Sequence, residues 1–96
     1  MYIGVLQFSM AIPHAESLKD KRSVVRSLKD RLRRSFNISI AETEDLDDWN
    51  VATFGAVTVG NDPTILNSAL DKIVDALEDW RDARLEDHLI EVLHPR

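Results

Sequence analysis

The sequence predicts an α+β sandwich: one four-stranded antiparallel sheet with two helices packed on one face. Three observations carry the prediction. Apolar residues alternate with period two in the first dozen residues and recur at helical spacing in two longer stretches. The period switches in the order strand, helix, strand, strand, helix, strand. Each helical stretch opens on a cap residue, Ser17 and Asp62. Ninety-six residues make one domain, 1–96, with a core sufficient for independent folding.

The first strand covers Tyr2 to Ile12. Leu6, Phe8, Met10 and Ile12 fall on one side; Val5, Gln7, Ser9 and Ala11 fall on the other. Pro13 to Glu16 turns the chain. In the first helix, Leu18 to Phe36, the residues Leu18, Val24, Val25, Leu28, Leu32 and Phe36 share an arc of about 120°. Ser17 and Asp20 form an S-x-x-D start, the hydroxyl accepting from a free N–H and the carboxylate reaching back to the cap. A second strand follows near Phe36 to Thr43, with Phe36, Ile38 and Ile40 inward. Glu44 to Asp48 is an acidic connection. The third strand, Trp49 to Val59, is apolar on both faces; its Phe54 and Ala56 are expected toward the helices, and Thr53, Gly55 and Val57 away from them.

Asp62 caps the second helix and Pro63 takes its first position. That helix is expected to reach about Arg81, with Ile65, Leu66, Ala69, Leu70, Ile73, Val74, Ala76, Leu77 and Trp80 on its apolar arc. Leu85 to Leu93 is a charged strand suited to a sheet edge. Two right-handed crossovers with both helices on one face make this a ferredoxin-like β-α-β-β-α-β fold with strand order 4-1-3-2. Its second sheet face is open. Ile3, Val5 and Val57 would be wet there, so a two-sheet dimer is expected to cover them, each side chain contributing up to about 1.5–3 kcal/mol.

Composition narrows the function. The chain has no Cys, hence no disulfide framework and no thiolate zinc site. No apolar run approaches a membrane span, and the start has no basic n-region, so a cytoplasmic protein without membrane contact is expected. Net charge is −5, but unevenly spread. Residues 1–40 carry eight Lys or Arg against three Asp or Glu; residues 41–96 carry four against fourteen. A basic face and an acidic face on one body follow.

The basic face has an address. Lys19, Arg22, Arg26, Lys29 and Arg33 are spaced three, four, three and four, so they stack as one stripe beside the apolar arc of the first helix. Such a stripe suits phosphates or an acidic protein surface. It also suits a plain solvated face whose last turn favours cations. Lys21 projects into the apolar arc. The expectation is that its head snorkels past the end of the core, the alternative being a buried ion pair with an acid from another element. Lys21 is kept with the stripe as a candidate contact. Trp49, Val5 and Val57 are the candidate interface residues.

Ser17-Leu-Lys-Asp-Lys-Arg22, Leu28-Lys-Asp-Arg-Leu32, Phe36-Asn-Ile-Ser-Ile-Ala-Glu42, Trp49 and Gly60-Asn-Asp62 resemble the YlxP-like family, small bacterial proteins of unknown function, over nearly the whole chain. The resemblance implies a ferredoxin-like fold and, through gene neighbourhoods, a link to translation, with RNA or the ribosome as expected partner. It carries no catalytic residue, cofactor or ligand. The acidic connection Glu44 to Asp48, between the second and third strands, and the acidic second helix depart from it and speak against RNA lying across the whole surface.

Other chemistry finds no footing. Phe54-Gly-Ala-Val-Thr-Val59 faintly echoes an RRM strand, yet Ala56 stands where the stacking aromatic belongs. Residues 11–16 lack the glycine and arginine of an acylphosphatase phosphate loop. Glu42, Glu44, Asp45, Asp47 and Asp48 lack calcium-loop spacing, and His14, His88 and His94 lack metal-ligand spacing, so no metal, cofactor or catalytic group is expected. The expected role is a homo-oligomeric, non-enzymatic accessory factor linked to translation or RNA, binding its partner through the basic first helix. The alternative is a homo-oligomeric interaction module, a dimer as first guess, with no nucleic-acid contact.

Overall fold

The computed structural model describes all residues, Met1–Arg96. Its elements are β1 (Tyr2–Ala11), α1 (Leu18–Ser35), β2 (Ser39–Glu44), β3 (Val51–Gly60), α2 (Pro63–Glu78) and β4 (Arg84–Leu93). One antiparallel sheet has the order β2-β3-β1-β4, so the expected topology holds and the fold is ferredoxin-like. β1 and β3 pair in register from Tyr2–Gly60 to Ala11–Val51. β4 forms one edge and bulges against Ser9 and Met10, which pair with Asp87 and Leu85. β2 forms the other edge and slips register between Glu42 and Glu44.

Even-numbered residues of the two central strands point under the helices. Leu6, Phe8, Met10, Ala52, Phe54 and Ala56 are buried there against Val25, Leu28 and Leu32 of α1 and Leu70, Ile73, Val74 and Leu77 of α2. Phe8 and Phe54, directly paired across strands, stack with centroids 4.9 Å apart. The inward face expected for the third strand is thus the one observed. α2 seats against backbone at Gly4: a Cβ there would lie 3.0 Å from Leu70 Cδ1.

Several boundaries differ from the sequence reading. Phe36 is the C-cap of α1 and not a strand residue, because its N–H closes on the Leu32 carbonyl at 2.8 Å. β2 therefore starts at Ser39. α2 ends at Glu78, with Asp79 as cap and Trp80 folding back to Leu77. Ile65, placed on the apolar arc, is 66% exposed, since it sits at the outer margin of the first turn of α2. No helix is long and apolar enough to cross a membrane.

Candidate functional site

The first turn of α1 fixes where its cations point. Ser17 is extended, and its Oγ accepts the Asp20 N–H at 3.0 Å. Asp20 Oδ2 in turn accepts the Glu16 N–H at 3.0 Å, one residue further back than the cap. From this start the helix lays Val25, Leu28 and Leu32 on the sheet, and the stripe falls on the flank away from α2. Arg33 shows which way that flank looks. Its guanidinium donates to the Ile40 carbonyl of β2 at 3.1 Å, so the stripe overhangs the free edge of the sheet. The opposite flank faces α2, where Arg31 lies over the Trp80 ring at 4.2 Å.

Lys19, Arg22, Arg26 and Arg33 are exposed and Lys29 is half-buried. Arg33 has Asp30 at 3.7 Å, one turn away. The other four form no ion pair. Five of the six candidate cations therefore stand together along one flank, about 21 Å from Lys19 to Arg33.

Lys21 does not join them. It is fully buried, and its head does not snorkel out. Nζ lies 2.8 Å from Glu42 Oε2 on β2 and donates to the Asp45 carbonyl. No other polar group partners that Glu42 oxygen, so Lys21 alone compensates its charge. The turn that offers the Asp45 carbonyl is held open by Asp45 itself. Its φ is 60°, a conformation Asp tolerates, and its Oδ2 accepts the Thr53 hydroxyl at 2.7 Å. Glu42 was legible as a partner: it shares strand parity with Ile40, which puts a carboxylate on an inward face opposite a lysine in an apolar arc.

The acidic connection therefore sits at the start of α1, beside the Lys19 end of the stripe. Arg26, Lys29 and Arg33 lie roughly 8–18 Å further along the axis from Lys21. There the positive field is least offset. A second residue that the sequence reading missed holds the same end together: the Asn50 amide donates to the carbonyls of Ile12 and Ala15 at 2.9 and 3.1 Å.

Val5 is half-buried and Val57 is 43% exposed, neighbours across β1 and β3 on the open face. Trp49 is exposed in the bend before β3, apart from both.

Residues 3–90 match the family described as "Protein of unknown function (DUF503)". The chain belongs to this family. It is also 28% identical to "Uncharacterized protein YlxP" of Bacillus subtilis (strain 168) over 78 residues, which cover 81% of this chain and 85% of that protein. The YlxP-like resemblance read from the helix and strand motifs is thereby shown. In this DUF503 protein no three His, Asp or Glu side chains converge in a way that would hold a metal ion. Three of the acids in residues 42–48 have other duties: Glu42 faces Lys21, Asp45 takes the Thr53 hydroxyl, and Asp48 Oδ1 accepts the Asn50 N–H at 2.9 Å.

Proposed function

We propose that this DUF503 protein is a non-enzymatic, cytoplasmic accessory factor that holds RNA, in the setting of translation, through phosphate contacts along α1. The observation that carries the reading is the stripe itself. Lys19, Arg22, Arg26 and Lys29 share one flank and have no ion pair, in a chain with a net charge of −5 and acids to spare. A flank left uncompensated in such a chain suits a polyanion, and the surrounding negative charge would confine that polyanion to the flank.

Recognition of this kind reads backbone and not bases. The aromatic rings that an RRM would present for stacking are absent from the open face; Phe8 and Phe54 are spent on one another in the core. Affinity would then come from counterion release. Four phosphate contacts on a single strand give a log–log salt slope near −3, or roughly a fifty-fold loss between about 50 and 200 mM salt.

The alternative, in which the stripe meets the acidic helix of a sister chain, rests on opposite charge alone. The flank of α2 carrying Asp71 bonds Asn67 and lies over the β4 side, whereas the stripe overhangs β2 at the other edge. Ultraviolet crosslinking of tagged protein in its own cells, followed by pulldown with and without RNase, tests the proposal. RNA joined to residues 17–36 is the expected result. An RNase-resistant protein partner with no RNA crosslink would reject it.

A further inference from the structure

The second sheet face has a shape as well as a composition. Its outward residues form rows across the strands: Leu93, Ile3 and Val59 in one, Glu91, Val5, Val57 and Ser39 in the next, Leu89, Gln7, Gly55 and Ala41 in a third. The end holding these rows is mostly apolar, with Val59, Leu89 and Leu93 exposed at 59, 54 and 46%; its one charge is Glu91 on the β4 edge, which faces Ser39 of a partner set over it. Beyond them the face turns polar, with Ser9, Thr53, Glu44 and Asp87. The apolar end is also uneven. Leucines stand up on the β4 side. On the β2–β3 side there is a depression of about 360 Å³, walled by Met1, Ile3, Ser39, Val57 and Val59.

We infer that a second copy of this chain covers this face, apolar end on apolar end, about a two-fold axis running along the strands. That axis lays β4 of one protomer over β2 of the other. Leu93 of each copy then comes down on the depression of its partner, so knob and hole are matched twice by one operation. A different protein would have to bring its own complement; the second copy already has it. Full overlap would also set Asp87 over Glu44 of the partner, two carboxylates with no cation between them. The ordinary angle of about 30° between packed twisted sheets splays that end and leaves it wet.

Area sets the strength. Three ten-residue strands and the six-residue β2, at about 4.8 Å by 3.3 Å per residue, give a footprint of roughly 570 Å² per copy. Two copies reach about 1,100 Å², close to the roughly 1,000 Å² that a biological interface has to clear, and the splayed end takes some away. The dimer is therefore reversible and follows concentration. Both α1 stripes point outward in it, so the inference does not depend on what they bind.

Sedimentation velocity of the full chain, from low micromolar to several hundred micromolar, tests this together with substitutions on exposed positions. Wild type is expected to pass from 10.9 kDa to twice that mass. Val59→Glu and Leu93→Glu, which strike the hole and the knob, are each expected to remain monomeric throughout with unchanged circular dichroism. Ile65→Glu, at a position on α2 more exposed than either, is expected to dimerise like wild type. A wild-type monomer at the highest concentration overturns the inference. So does a dimer that survives both sheet-face substitutions, or one that is lost with Ile65→Glu. Should either glutamate variant unfold, Leu89→Lys gives the same reading.

Discussion

Lys21 and Arg22 are neighbours in sequence with the same charge and opposite fates. Lys21 lies under α1, fully buried, against Glu42 and the Asp45 carbonyl. Arg22 stands on the exposed flank with no partner. One residue turns the helix by 100°, and that turn decides which cation holds the domain together and which is left for something outside it. Basic residues on a helix are therefore not one population.

The contrast can be broken most forcefully at Lys21. Lys21→Met leaves Glu42 unpaired at the core margin and is expected to destabilise the domain by about 3 kcal/mol, read as the shift in urea unfolding. Lys21→Met with Glu42→Met removes both charges and is expected to recover most of that loss. A single variant within about 0.5 kcal/mol of wild type would mean that the buried pair is not a latch.

Next comes the flank. Arg22→Glu with Arg26→Glu is expected to abolish RNA binding in an anisotropy titration while changing stability by no more than about 0.5 kcal/mol. A finer division sharpens the picture within the stripe. Arg26→Ala, away from the acidic turn, should reduce the salt slope by about 0.7. Lys19→Ala, beside that turn, should reduce it by less; equal effects would remove the turn from the account. The smallest effects test the frame. Ser17→Ala should cost about 1 kcal/mol in thermal or urea unfolding through loss of the Asp20 N–H cap. Arg31→Ala should cost less than that and alter Trp80 fluorescence, since its cation lies over that ring.

Much of this architecture is legible in the sequence because it is local. Alternation in Leu6 to Met10 and the caps Ser17 and Asp62 each state their element within a few residues. The order of those elements leaves few topologies, and the inward face of β3 follows from Phe54 and Ala56. What the sequence hides is long-range or marginal. Lys21 finds its carbonyl on a turn 24 positions away whose shape depends on Asp45 and Thr53. Phe36 fits the parity of β2 yet is claimed by the Leu32 carbonyl. Ile65 stands about 120° round α2 from the centre of the buried set and is left exposed. The stripe was legible as a stripe; that it overhangs the β2 edge required the bond from Arg33 to Ile40.

The most direct test of the account is the affinity of wild type and of the Arg22→Glu, Arg26→Glu variant for a single-stranded RNA, measured across salt concentrations. A slope near −3 is expected for wild type, with no measurable binding by the folded variant. Wild-type affinity that ignores salt, or a variant that binds as wild type does, would contradict it.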